Sequence, residues 1–292
     1  MVLLFLLVAL FAGVLAPYGM NETWVGERLV RPSAQFWFGT DNLGRDVFSR
    51  VIYGARVSVI VGLAASSLGT AISLFIGLVS GYIGGNFDIA VQRFVDAVMS
   101  LPGLVVIIIL VTVLGSGMVP VILALSIPGG IVGSRILRSA VIGIKENVYL
   151  DAARVVGCST WRIILRHVLP NIMAPTIILL SIRIPGMIMA EAGLSFLGFG
   201  VPPPFPSWGS MIGGAGRIYM LDAPWIVLWP GLALALVVYN SNIFGDTLRD
   251  LLDPRLRGGA GRFDLRAKTQ ASSASAAKTI AVNEDNVLEA RD

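Results

Sequence analysis

Residues Tyr149–Asn171 read YLDAARVVGCSTWRIILRHVLPN, a polar island between long apolar blocks. Asp151, Ala152 and Ala153 give a helical start with little side-chain bulk. Gly157 interrupts that helix and suits a left-handed turn. Ser159 is placed to cap a second helix by accepting a bond from an otherwise orphaned N–H. In the second helix Trp161, Ile164, Leu165 and Val168 fall at i, i+3, i+4 and i+7, which is one apolar face. Arg162 and Arg166 lie four apart on another side. Pro170 disfavours continuing the helix beyond Leu169. The spacing predicts a compact helix–turn–helix with an apolar stripe to offer a partner. A basic loop with no partner fits the same pattern equally well.

The rest of the chain points to a bilayer. Of 292 residues, 55% are hydrophobic and 14% charged, where ordinary soluble domains carry about 25% charged residues. Mean hydropathy is +0.79. The single cysteine, Cys158, excludes a disulfide within the chain. With one histidine, His167, it also excludes a zinc site built from His and Cys alone. The formal charge of +4 is modest, and in a membrane protein its distribution matters more than its sum, so it is no sign of nucleic-acid binding.

Six membrane-spanning segments are expected. Residues 1–16 are uncharged and apolar but short of the roughly 20 residues a spanning helix needs. They read as a first span; a cleaved signal peptide is the competing reading, disfavoured because no basic residues precede the apolar run. Residues 17–56 form a polar loop. Val57–Val79 is a second span, followed by a glycine turn, and Gly77 and Gly81 make a GxxxG spacing that permits close helix contact. Arg93 and Asp96 lie three apart on a helix expected at the membrane edge. Further spans are expected near 97–114, 118–134, 172–190 and 223–245, with Gly115-Ser116-Gly117 as a turn and Pro175 and Pro185 as bends in the fifth. After Gly258 the Ala/Ser/Lys/Glu-rich chain reads as a disordered tail.

Charge sets the expected orientation. The start, 80–96, 135–171 and 246–292, placed on one side, hold 15 Lys and Arg, and 17–56 with 194–222 on the other side hold 6. The positive-inside rule puts the first group, and so both termini, in the cytoplasm. Residues 135–171 alone hold six bases against two acids.

Several separated motifs carry a resemblance. DAA-x₃-G-x₉-H-x₂-P, from Asp151 through Gly157 and His167 to Pro170, resembles the EAA loop of importer permeases of the ATP-binding-cassette (ABC) class. Asp151 stands where Glu is usual and Cys158 where Ala is common. FGTD-x₂-GRD-x₂-SR-x₂-YGAR, from Phe38 to Arg56, is similar to a signature of the C-type subunit in the dipeptide/oligopeptide/nickel permease family. R-x₂-D-x₅-P at Arg93, Asp96 and Pro102, EAGLSFLGFG with P-x-P-SWG between Glu191 and Gly209, and GD-x-LRD-x-LDPRLR from Gly245 to Arg257 resemble the same family. The resemblance covers roughly residues 36–257.

It implies an all-α, type I (MetI-like) importer permease in a bacterial cytoplasmic membrane, with residues 57–246 as the core and 247–292 as a cytoplasmic tail. The implied partners are a second, B-type permease in a heterodimer, two ATP-binding subunits and an extracytoplasmic substrate-binding protein, all in membrane lipid. ATP and Mg²⁺ then belong to the ATPase partners, and no cofactor to this chain. Asp151, Ala152, Ala153, Gly157, Trp161, Arg166, His167 and Pro170, within the loop 138–171, would couple to the ATPase. Gly39, Thr40, Asp41, Gly44, Arg45 and Asp46 would lie outside, near where the binding protein delivers cargo. Composition alone reads that same segment as a solvated loop whose charges pair. Dipeptides or short oligopeptides are the implied substrates; nickel or another small solute is the alternative.

The residues bear on other classes of function too. There is no G-x₄-GK[ST], so this chain is not expected to hydrolyse ATP alone. G-x-S-x-G and H-E-x-x-H are absent, and the one histidine sits in the 149–171 island, which disfavours a membrane enzyme. His167 reads as a capping or interface residue and Cys158 as inert. An ion-coupled carrier or channel would carry ionisable residues in several spans; only the fifth offers an interior candidate. There, Arg183 and Glu191 are candidate pathway groups, because an intramembrane charge must pair or face water. Eight residues separate them, about 12 Å of rise, too far for a direct pair on one helix. The competing reading is that each pairs with a neighbouring helix. Pro202–Trp208 reads as an interfacial aromatic belt or a stiff external gate.

Overall fold

The computed structural model describes residues 2–252. Residues 1–246 form one compact unit; the described part of a second unit, residues 247–252, is helical. The order is α1 (Val2–Leu10), α2 (Ala12–Leu15), α3 (Val47–Ile83), α4 (Gly85–Met99), α5 (Gly103–Leu114) and α6 (Met118–Lys145). There follow α7 (Val148–Val155), α8 (Thr160–Ile163), a π-helical turn (Ile164–Val168) and α9 (Leu169–Phe196). The last elements are α10 (Trp208–Met211), a second π turn (Ile212–Gly216), α11 (Arg217–Tyr219) and α12 (Trp225–Leu252).

Among the described residues four helices are long and apolar enough to cross a membrane, or five if the bent α4–α5 pair counts as one span. The expected six exceeds this by one or two. The apolar start breaks at Phe11, where Arg56 reaches across from α3 and donates to the carbonyls of Ala9 and Leu10 at 3.0 and 3.1 Å. Those are end carbonyls that α1 cannot satisfy itself. The expected span at 97–114 is bent by 91° between α4 and α5, at Ser100-Leu101-Pro102, leaving α5 only 12 residues long. Proline restricts the residue before it and cannot donate, so the helix ends there.

Two other helices run past their expected limits. α3 begins at Val47, ten residues before the uncharged stretch, because Asp46 caps it: its carboxylate accepts from the Ser49 N–H at 2.8 Å and the Ser49 hydroxyl at 2.7 Å. The segment Thr160–Phe196 is helical without interruption, so Pro170 does not end the helix. The physical reason is the π turn. Pro170 has no N–H, and the widened turn, in which the Leu169 N–H reaches the Ile164 carbonyl, absorbs the mismatch.

The body is held by α3 against α6. Lipid gives no hydrophobic drive between helices, so small residues that let backbones touch matter most. A Cβ at Gly77 would lie 2.7 Å from the Ser134 carbonyl oxygen and one at Gly81 3.1 Å from that of Arg138. The GxxxG spacing is thus a helix contact. Ser73 adds a hydrogen bond to the Gly130 carbonyl at 2.7 Å. At one end, called here the Gly157 end, α4 is tied to α6 by Arg138–Asp88, with Nε to Oδ1 at 2.6 Å, and by Arg135–Asp96. Arg93 also pairs with Asp96 at 3.4 Å. The opposite end, called the Trp208 end, carries residues 17–46 and 198–222.

Gly77→Ala is expected to lower stability by about 1–3 kcal/mol, since the methyl must push two backbones apart. Gly143→Ala, whose Cβ would meet nothing within 4 Å, is the control and should leave stability unchanged. Thermal unfolding of the two purified variants in detergent checks this.

Candidate functional site

The 148–171 segment folds as a helix pair with a fixed turn. Gly157 has φ +85°, its N–H donates to the Arg154 carbonyl at 2.9 Å, and the Cys158 N–H to that of Ala153 at 3.0 Å. That is the paired bonding of a Schellman C-cap, and glycine supplies its left-handed residue at low cost. Ser159 precedes α8 with extended backbone, but its side chain makes no capping bond, contrary to the sequence expectation. The buried face also differs from the one expected. Leu150, Ile163, Ile164, Val168 and Ile172 are buried against Leu78 and Tyr82 of α3 and Val141 of α6, with Ala153 and Cys158 at the edge. Trp161 and Leu165 are exposed. The i, i+3, i+4, i+7 reading fails because the π turn shifts the helical phase inside that window.

The exposed side of the pair carries an apolar rim among charged residues. Val148, Val155 and Val156 are each more than 80% exposed and Trp161 is 64% exposed. Ala152 is exposed, Asp151 pairs with Arg154 at 2.6 Å, and Arg166 and Pro170 are exposed. His167 is half-buried beside the Tyr149 ring, and its carbonyl accepts from Asn171 at 2.6 Å. His167 and Pro170 therefore lie within a continuing helix rather than at its end.

The Gly39–Asp46 motif lies at the opposite end and folds inward. Asp41 accepts from the backbone N–H groups of Leu43 and Arg45 at 2.8 and 3.1 Å and from Arg45 Nε at 2.6 Å, with Arg50 at 3.6 Å. The Thr40 hydroxyl donates to the Glu27 carbonyl at 2.6 Å and accepts from the Val30 N–H at 2.8 Å. The Thr40 carbonyl accepts from Trp225 Nε1 at 3.1 Å, which joins the knot to α12. Gly39 and Gly44 have φ of +76° and +66°, and each lies on a backbone carbonyl where a Cβ would clash. The charges pair, as the solvated-loop reading holds, but Asp41 and Asp46 are buried.

Arg183 and Glu191 do not meet. Arg183 lies in a slot of α6, where its Nη2 donates to the Gly129 carbonyl at 2.6 Å and a Cβ at Gly133 would collide with it. Glu191 is fully buried; its carboxylate accepts from the Ser195 hydroxyl at 2.6 Å and the Ser58 hydroxyl at 3.3 Å. Sequence reasoning missed Ser58, which sits in an apolar stretch without any local signal. Trp208, read from the sequence as part of an aromatic belt or external gate, is buried and donates from Nε1 to the Val51 carbonyl at 2.9 Å.

The three clusters are thus a solvent-facing apolar rim at the Gly157 end, a buried polar knot at the Trp208 end, and two α9 charges tied to its neighbours. No set of them forms a catalytic arrangement. Residues 73–258 match the family described as the inner membrane component of binding-protein-dependent transport systems. The chain belongs to that family. This permease component is 38% identical over 253 residues to the dipeptide transport system permease protein DppC of Alkalihalophilus pseudofirmus, covering 87% of this chain and 83% of that one. It is 42% identical over 259 residues to a putative peptide transport system permease protein of Brucella suis, with 87% of both chains covered. It is 40% identical over 258 residues to the glutathione transport system permease protein GsiD of Escherichia coli, covering 88% and 85%. Its fold is similar to that in the MetNI methionine ABC transporter captured in inward-facing conformations, with a TM-score of 0.58 at 17% identity over 70% of this chain and 96% of that one.

Asp41→Asn is expected to destabilise the permease by about 3 kcal/mol, because it leaves Arg45 and Arg50 without their buried anion. Thermal unfolding in detergent measures the loss. Arg31→Gln, in the same loop but outside the knot, should be neutral.

Proposed function

We propose that this chain is the C-type half of a heterodimeric permease importing dipeptides or short oligopeptides, driven by two ATPase subunits that bind the ATP and Mg²⁺. An extracytoplasmic binding protein delivers the cargo. The Gly157 end lies in the cytoplasm and the Trp208 end outside, which is supported by the excess of Lys and Arg on the first. The N-terminal apolar helices make a sixth crossing in this reading. The substrate class is supported by the relatives, whose names specify dipeptide, peptide and glutathione transport.

The observation that carries the coupling role is the rim formed by Val148, Val155, Val156 and Trp161. These side chains are exposed at the tip of a helix pair whose other face is locked into the core. Large exposed apolar side chains on a rigid element mark an interaction surface, and aromatic residues are enriched among binding hot spots. A coupling element must also be stiff, or motion at its tip is dissipated. The Schellman turn and the buried Leu150 and Ile163 supply that stiffness. In this reading Asp151 and Ala152 sit beside the docking surface, and Gly157 sets the angle between the two helices.

The double variant Val155→Asp, Trp161→Ala is expected to insert and unfold like the parent while retaining less than one-tenth of the co-purified ATPase and of ATP-dependent dipeptide uptake in vesicles. Full retention of both would sink the docking assignment.

A further inference from the structure

α5 and α9 both finish on one groove at the Trp208 end. It has a volume of about 420 Å³ and is walled by Thr112, Gly115 and Ser116 at the end of α5, Ser195 and Gly198 at the end of α9, and Ser210 of α10, among others. That volume lies within the roughly 300–1,000 Å³ usual for small-molecule sites. No charged residue lines the groove among the described residues. Its neutral polar groups therefore decide what it takes.

The donors in this wall are largely spent. The Thr112 hydroxyl donates to the Ile108 carbonyl at 2.8 Å, that of Ser195 to Glu191 Oε1 at 2.6 Å, and that of Ser210 to the Ser207 carbonyl at 2.9 Å. The N–H groups of Gly115, Gly198 and Phe199 donate to the carbonyls of Val111, Ser195 and Leu194 at 2.9, 3.1 and 2.9 Å. Pro202 and Pro203, also in the wall, have no N–H to give. Acceptors remain. A hydroxyl that has given its proton keeps its lone pairs, as the exposed Thr112 does, and the exposed Ser116 hydroxyl can turn to accept as well. The carbonyls of Thr112, Val113 and Leu114 are the last of α5, and among the described residues no N–H reaches them. The C-terminal end of a helix is also its negative pole, so α5 and α9 act with the same sign. The start of α6, which would favour an anion, contributes no residue to the lining.

We propose that this groove holds the α-ammonium group of the peptide cargo as it enters the permease. Free acceptors, few free donors, two negative helix ends and no fixed cation select a compact, positive group with several N–H donors. An ammonium has three such donors and no acceptor. A carboxylate would meet few of the donors it needs. Neutral acceptors also suit a passage, where a group must be held well enough to enter and loosely enough to leave. This deepens the import reading and rests on it and on the orientation given above. A lipid headgroup can also bring a primary ammonium, so the test separates the two sources.

The test uses the whole complex, with its permease and ATPase partners, in vesicles of phosphatidylcholine and phosphatidylglycerol without nucleotide or binding protein. This chain carries Cys158→Ser and, at the exposed groove residue, Ser116→Cys. A membrane-impermeant maleimide added from outside reads the labelling rate at position 116. Alanyl-alanine should slow labelling at least five-fold, and N-acetyl-alanyl-alanine, which lacks the ammonium, should leave it within two-fold. Equal protection by both, or by neither, overturns the assignment. Adding Thr112→Lys places an ammonium on the wall and should abolish protection by alanyl-alanine. Adding Thr112→Glu, similar in length and opposite in charge, should keep it, and loss in both variants would assign the effect to bulk and overturn the ammonium site. Phosphatidylethanolamine in the vesicles should leave the parent rate within two-fold. Slowing by that lipid with no protection by alanyl-alanine overturns the cargo assignment in favour of lipid. A parent complex that, given binding protein and ATP, takes up no dipeptide overturns the import reading instead, and the protection comparison is read apart from it.

Discussion

Two helix backbones in contact are the constraint on which this structure depends. α3 and α6 meet through Gly69, Gly77 and Gly81 on one side and the backbone at Ser126, Ser134 and Arg138 on the other. In a bilayer the apolar side chains of these helices gain nothing by leaving lipid for each other, so association must come from close packing and polar bonds. Glycines supply the first and Ser73, bonded to the Gly130 carbonyl, the second. The rest is hung on this seam. Gly129 and Gly133 leave the slot that takes Arg183 from α9. Arg135 and Arg138, on the last turns of α6, hold α4. Leu78, Tyr82 and Val141, at the end of the seam, form the seat on which the 148–171 pair rests.

α9 then connects the two ends of the molecule. It inherits its direction from α8 through the π turn at Ile164–Val168, so the exposed tip and the membrane helix are one rod from Thr160 to Phe196. A proline that ended the helix at Leu169 would have put a hinge between them. The rod carries two ionisable groups at membrane depth, and each is bonded to its neighbours rather than left facing lipid. Arg183 gives the bland reading of its position a concrete form: a cation held by a carbonyl in a glycine slot. Glu191 does the same with hydroxyls.

How much of this is legible in the sequence depends on whether the signal is local. The apolar runs at 57–79, 118–134 and 172–190, the last with Arg183 inside it, lie in long helices, as does 223–245 from Trp225 onward, because hydrophobic length is a local property. Gly157 is read correctly for the same reason: a left-handed residue is a matter of one φ angle. Limits set by distant partners are not legible. The break of α1 at Phe11 involves Arg56, 45 residues away, and α3 gains its early start from a cap followed by residues buried in the tertiary fold. The stripe at Trp161 is misassigned because a π turn, which leaves no trace in composition, rotates the later positions. Buried polar partners are hardest. The motif around Glu191 names Ser195 by proximity, but nothing near Ser58 announces that it faces a carboxyl 133 residues later. The expected disordered tail beyond Gly258, and the end of the Gly245–Arg257 motif, lie outside the described residues.

Both ends are seated by apolar clusters, and they differ in the polar contacts beside that seating. At the Gly157 end the pair is seated by a contiguous apolar cluster, and α4 is fastened beside it by ion pairs. Opening such contacts exposes apolar surface or strands charges, with nothing in the bilayer to replace them. At the Trp208 end, the 198–213 segment meets α3 through apolar clusters that take in Val201, Trp208 and Met211, and through the Trp208 N–H bond to the Val51 carbonyl. The 17–46 knot pairs Asp41 with its own Arg45 and with Arg50 of α3, and reaches α12 through the Trp225 N–H and a stacked Phe38–Trp229 pair, centroids 4.0 Å apart. A rod seated by apolar packing at both ends, and unbroken at Pro170, can carry motion from one end to the other.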